Sequence, residues 1–141
     1  MPFTPLSRTD LSDLVYHELD PAVGYARKGI VVQSDDPLLI GTVVFRAKTN
    51  NDLAPYAPIT AAADLAVANE FAVVFGDNYG CKESWTVEDD ATEVNSVGFI
   101  SGPIFLKDKL VLENNPTLNA AGQAALRQVL QNQGIVLEKT L

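Results

Sequence analysis

One cysteine and one histidine are all this chain has of the side chains that most readily hold soft metals or form nucleophile–base pairs. Cys81 alone excludes an internal disulfide framework and any multi-cysteine metal site. It suits assembly in a reducing compartment. His17 alone excludes a His-pair metal site and a multi-histidine relay; in its N-terminal setting a solvated or partner-facing imidazole is the simpler reading. Cations are scarce too: 10 Lys and Arg stand against 18 Asp and Glu, a net charge of −8. That charge repels phosphate backbones, so nucleic acid is not an expected partner, whereas a basic protein surface would be. No apolar run is long enough for a membrane span, and the first residues lack the basic-then-apolar order of a signal peptide. None of the serines stands in a Gly-x-Ser-x-Gly elbow, and Gly76-Asp77-Asn78-Tyr79-Gly80 lacks the Lys-Ser/Thr that grips phosphate. Cys81 has Lys82 beside it, but its setting reads as a turn and no helix start is evident. The residues call for no cofactor and no catalytic machinery.

What the chain does have is a core. With 141 residues and 47% hydrophobic side chains it is most simply one ordered domain. The most legible stretch runs from Gly98 to Leu137. Gly98-Phe99-Ile100 reads as a strand end, Gly102-Pro103 as a turn, Ile104-Phe105-Leu106 as a strand, and Leu110-Val111-Leu112 as a further apolar run. Pro116 then disfavours helix at Asn115, and Thr117 or Asn119 can cap a helix beginning near Ala120. Leu118, Gly122, Ala125, Leu126, Val129 and Leu130 share one helical face, with Gln123, Arg127, Gln128 and Gln131 opposite. Gly134 suits a left-handed stop, and Ile135-Val136-Leu137 reads as a buried strand. Upstream, strands are expected at Gly29–Gln33, at Leu38–Arg46 with a bulge or close approach at Gly41, at Phe71–Phe75 and at Val94–Ile100. Tyr56-Ala57-Pro58-Ile59 is a short extended piece, Ala61–Ala68 a single turn or a loop, and Trp85-Thr86-Val87 another strand. Phe45, Phe71, Phe75, Phe99 and Phe105 fall in strand patterns and read as core; Tyr79 and Trp85 sit about a loop. The expected fold is a compact β-rich α+β domain of small barrel-like sheets with one C-terminal amphipathic helix.

Residues 1 to about 20 look different. Pro2 and Pro5 hold the first residues extended, and Phe3 and Leu6 have no strand pattern around them. Leu11, Leu14, Val15 and Leu19 could form a helical stripe, or Val15, His17 and Leu19 could alternate in a strand. The segment is either an arm that orders on a partner or a terminal strand of the protein's own sheet. The acidic run Glu88-Asp89-Asp90 with Glu93 invites a Ca²⁺ site or a glycosidase pair, but the spacing fits neither, and a solvated loop is the plainer account.

Several stretches, taken in order, resemble one known family. Glu18-Leu19-Asp20-Pro21, Leu39-Ile40-Gly41-Thr42-Val43, Tyr56-Ala57-Pro58, Phe71–Phe75, Gly102-Pro103-Ile104 with Leu110-Val111-Leu112, the Ala-rich helix and Gly134-Ile135-Val136 are similar to segments of the head decoration proteins of tailed phages, the family of phage lambda's small outer-capsid protein. The likeness covers nearly the whole chain, and the ordered set carries it. Asn78 to Trp85 looks like an insertion, and Lys139-Thr140-Leu141 an extra tail. The resemblance implies a non-enzymatic structural protein, assembled in the host cytoplasm, that sits as a homotrimer on the outer surface of an expanded phage head. It implies an N-terminal arm, residues 1–20, ahead of a decoration domain, residues 21–141. The arm would bind the major capsid protein by strand addition through the backbone of Ser7 to Leu19, with Phe3, Leu6, Leu11, Leu14, Val15 and Tyr16 as contacts. Two other classes compete: an acidic binding module or inhibitor using Glu83 to Glu93, and a carboxylate-based hydrolase.

Overall fold

Side chains alternate across a strand, so a strand with no polar positions must be covered on both faces. Phe71-Ala72-Val73-Val74-Phe75 is such a strand, and the domain is built in two layers around it. The computed structural model describes residues 11–18, 26–48, 54–77, 80–81, 84–85 and 93–139. In chain order the elements are α1 (Leu11–Leu14), β1 (Val15–Glu18), β2 (Arg27–Val32), β3 (Leu38–Leu39), β4 (Val43–Ala47) and β5 (Ala57–Pro58), then a 3₁₀ turn at Ala62–Asp64. There follow β6 (Asn69–Asp77), β7 (Gly80–Cys81), β8 (Ser84–Trp85), β9 (Val94–Phe99), β10 (Ile104–Lys107), α2 (Asp108–Glu113), α3 (Ala120–Gln131) and β11 (Ile135–Glu138). The domain is α+β and β-rich, with α3 its one main helix.

The six-stranded sheet runs β2-β9-β6-β4-β5, with β7 paired to the end of β6. Its two ends are tied by a parallel bridge between Val32 and Tyr56: Tyr56 N–H donates to the Val31 carbonyl and Gln33 N–H to the Tyr56 carbonyl, each at 2.8 Å. One face of β6 (Phe71, Val73, Phe75) packs with Val43, Phe99, the α3 residues Leu126, Val129 and Leu130, and Ile104, Leu106, Ile135 and Leu137 of a second sheet. The other face (Ala72, Val74) packs with Ile30, Val32, Val44, Leu38, Tyr56 and Trp85. Trp85 can be buried there because its Nε1–H donates to the buried Ser96 hydroxyl at 2.9 Å.

The second sheet has the order β1-β10-β11. β10 and β11 are parallel, with Ile104 opposite Ile135 and Leu106 opposite Leu137, and a parallel pair needs a crossover. α2 and α3 supply it. Asn119 caps α3, its side-chain oxygen accepting from Gly122 N–H at 2.8 Å, and Leu126, Val129 and Leu130 are buried as the periodicity predicts. The helix closes at Gln131, and Gly134 adopts φ +84° three residues later. Gly102, before the cis Gly102–Pro103 bond, lies directly against Gly134: its N–H donates to the Gln133 carbonyl at 2.9 Å. A Cβ on Gly102 would fall 1.8 Å from the Gly134 carbonyl oxygen. Gln133 then stitches this corner to the main sheet, donating to the Phe71 and Ile100 carbonyls at 2.7 and 2.8 Å and accepting from Phe71 N–H at 2.8 Å.

Two expected strands are redrawn, and one apolar run gains an element. Leu38–Arg46 is not one strand: the chain turns at Ile40-Gly41, where Gly41 has φ +91° and donates its N–H to the Val74 carbonyl at 2.8 Å. Leu110-Val111-Leu112 lies in the helix α2, with Val111 fully buried and its two neighbours half-buried; three apolar residues in a row fit either period. The expected Trp85-Thr86-Val87 strand is paired at Ser84–Trp85, against β3, and Thr86 and Val87 lie outside the described residues. Asn114 and Asn115 lock α2 to the Gly41 turn. Asn114 donates to the Ile40 carbonyl at 2.7 Å, and Asn115 donates to the Gly41 carbonyl at 3.0 Å while accepting from Val43 N–H at 2.8 Å.

Leu126→Ala should cost roughly 2–5 kcal/mol and Val129→Ala roughly 1–3 kcal/mol in chemical denaturation, since both leave a cavity under the helix. Gly102→Ala should be worse than Val129→Ala, at about 3 kcal/mol or more, because its methyl meets backbone that cannot rotate away. Equal stability of Gly102→Ala and the native chain would show that the two glycines are not in contact.

Candidate interaction surface

Leu11, Leu14 and Val15 are spaced to share a helical face, and the first turn of that pattern does form a helix. α1 packs on α2, and the chain then extends into β1. Of the two alternatives that the periodicity leaves, one helical turn forms over Leu11–Leu14 and a strand over Val15–Glu18, and Leu19 lies outside the described residues. Leu14 has no exposed surface, and Leu11 and Val15 are half-buried against the same core. β1 runs antiparallel to β10, with Val15 opposite Leu106, His17 opposite Phe105 and Glu18 opposite Ile104. The register slips between Val15 and His17, and a bulge of this kind re-aims the side chain it holds. Tyr16 sits at the slip, 41% exposed on the rim of the sheet. Its hydroxyl donates to the Lys139 carbonyl at 3.3 Å, and the Lys107 ammonium lies 5.2 Å from its ring centre.

At the other end of β1 the Glu18 carboxylate accepts from Arg27 Nη2 at 2.7 Å and from Arg27 Nε at 2.8 Å. The Arg27 guanidinium lies 5.2 and 5.7 Å from the ring centres of Phe75 and Phe99, which stack on each other at 4.5 Å. A planar fork between a carboxylate and two rings is a use that lysine could not serve. The pair fastens β1 to the main sheet.

The six residues expected to touch a capsid therefore divide. Leu14 is a core side chain, and Leu11 and Val15 are packed on that core, so these three anchor the segment rather than reach a partner. The correction has a plain cause: the edge of β10 and the side of α2 were available to them at home, and sequence pattern shows no edges. The strand addition expected from Ser7 to Leu19 is likewise taken internally over Val15–Glu18. Within the expected 1–20 arm, Leu11–Glu18 pack on the body. Tyr16 is exposed as a contact residue should be, and Phe3 and Leu6 lie outside the described residues. The side chains of His17 and Cys81 lie outside them too, as does the 83–93 loop apart from Ser84, Trp85 and an exposed Glu93. Among the described residues no group of three or more His, Cys, Asp or Glu gathers about a common point.

A second feature had no sequence signal. An open groove of about 400 Å³ runs between the β3 turn, β5 and the loop after α2. Leu39, Pro58, Ile59 and Pro116 give it apolar walls, and Asp36 and Glu113 place carboxylates on it. Ser34 fixes the Asp36 turn, its hydroxyl donating to the Asp36 carbonyl at 2.8 Å, and the Asn114–Asn115 clamp holds the opposite wall. The lining comes from three stretches far apart in the chain, which only the fold brings together.

Glu18→Ala and Arg27→Ala should each lower unfolding free energy by roughly 2–4 kcal/mol, below the usual loss for a fully buried pair because the Arg27 side chain is 30% exposed. Tyr16→Ala should cost under about 1 kcal/mol. Urea denaturation of the three variants checks the order, and equal losses would show that the ion pair does not fasten β1. Comparison with protein-family models, with curated proteins and with solved structures returns no match for this chain.

Proposed function

We propose that this chain is a structural capsid decoration protein, binding as a homotrimer to the outside of an expanded tailed-phage head and bracing it against the pressure of packaged DNA. The proposal rests on the ordered resemblance of the motifs from Glu18-Leu19-Asp20-Pro21 to Gly134-Ile135-Val136. One structural observation supports it: the point at which the first ten residues join the body is itself part of the core. Leu14 is fully buried, β1 is hydrogen-bonded to β10, and Glu18 is paired with Arg27. Load applied to the leader, residues 1–10, would pass into two sheets rather than into a loose tether.

On this account the shell contact is made by the leader through Phe3 and Leu6, with Tyr16 on the rim as a body-side contact. Leu11, Leu14 and Val15 serve as the anchor. Ordering a leader costs conformational entropy per residue, so a single one binds weakly. Three on one trimer act at high effective concentration and raise avidity by about 10² or more. That gain depends on capsomer spacing, which favours the mature shell as target.

Deleting residues 1–10 should leave a folded protein with a near-native thermal midpoint that no longer sediments with expanded shells. A deletion reaching residue 16 should unfold the body, because it removes Leu14 and part of β1. Full shell binding by the shorter deletion would overturn the leader's role. Charge reversal in the 83–93 loop should leave shell binding intact; its loss, with strong salt dependence, would favour an acidic binding module instead.

A further inference from the structure

We propose that the groove lined by Asp36, Leu39, Ile59 and Glu113 is a docking site for this chain's own leader, taking Phe3 and Leu6 as its apolar anchors and Arg8 as its charged one. The chemistry of the two matches. The groove pairs apolar walls with two exposed carboxylates. The ten residues ahead of Leu11 carry three large apolar side chains, Met1, Phe3 and Leu6, and one side-chain cation, Arg8, two positions before Asp10. Pro2 and Pro5 bias that segment toward a polyproline II helix, whose three-residue repeat puts Phe3 and Leu6 on one side. Such a segment has less freedom to lose on binding than an ordinary chain. At about 400 Å³ the groove is in the size range of built binding sites.

Reach argues for the chain's own leader over another copy's. α1 packs on α2, and Glu113, the last residue of α2, lines the groove. α2 is six residues, hence about 9 Å long. Leu6 stands five residues ahead of Leu11, roughly 16 Å of extended chain, and Phe3 roughly 25 Å. The leader can therefore span α2 and lie along the groove without leaving the body. A tether this short holds its ends at millimolar effective concentration. The docking does not rest on the capsid function, although its use would: the groove would shelter the leader's apolar side chains until a shell competes for them.

The test uses the full chain with the photo-crosslinking residue p-benzoylphenylalanine in place of Phe3. After irradiation, mass spectrometry should place the cross-links within residues 36–39, 58–60 or 113–116 of the same chain. In a mixture of isotopically light and heavy chains, cross-linked products should stay unmixed. Asp36→Arg with Glu113→Arg, and separately Arg8→Glu, should cut the yield several-fold while the thermal midpoint stays put. Cross-links elsewhere, mixed-isotope products that put the leader on a second copy, no cross-link at all, or a yield indifferent to the charge changes would each overturn the proposal. None of these outcomes bears on sedimentation with shells, so the two proposals fail separately.

Discussion

Backbone touches backbone at Gly102 and Gly134, and the rest of the domain is hung from that contact. A parallel strand pair cannot be closed by a tight turn, so the start of β10 and the start of β11 must be brought together from about 30 residues apart in sequence. Two glycines let the chains approach to a distance that any Cβ would forbid. Because α3 ends beside Gly134, the same contact sets where the helix lies. Because Gln133 bonds to Phe71 and Ile100, it also sets how the helix corner meets the main sheet. β1 has a strand to pair with only once β10 is in place.

Seen from the main sheet, the constraint is coverage. β6 is apolar on both faces, and each face needs its own layer. The face toward α3 is filled by leucine, isoleucine and valine from the second sheet and the helix. The opposite face is closed by curvature, with the Val32–Tyr56 bridge tying the two ends of the sheet and Trp85 filling the space beneath, its one polar atom satisfied by Ser96. Charge enters the α3-side packing at Arg27, which is flanked by Phe75 and Phe99 and neutralised by Glu18. Removing either partner leaves the other partly desolvated, which is why a single pair can matter to the seating of β1.

How much of this was legible in the sequence depends on whether the deciding contact was local. The face of α3 was legible from its three- and four-residue apolar spacing, and its start, left between Thr117 and Asn119, because the cap is local, with Asn119 bonding to Gly122 three residues on. β6 and β11 were legible from apolar runs flanked by glycine. The Gly102 and Gly134 positions were legible as turns, but not as each other's partners, because nothing in either neighbourhood names the other. Leu110-Val111-Leu112 could not be assigned from its own residues; Asn114 and Asn115, reaching back to the Gly41 turn, are what pin the helix. The groove was invisible, since its walls come from residues 34–42, 58–60 and 113–116.

The packing of Leu11–Glu18 was not legible for the same reason, and it bears on the proposed function. An apolar stripe such as Leu11, Leu14 and Val15 reads identically whether it waits for a partner or is already buried. The edge of β10 decides the matter. With the root fixed at Leu11, a leader acting as proposed is about half as long as the twenty residues that look distinct in the sequence. Effective concentration falls roughly as the −3/2 power of tether length, so halving the tether raises it about threefold for each leader of a trimer. On the proposed function, the buried Leu14 would thus strengthen the remaining contacts, because it shortens the segment on which they are carried.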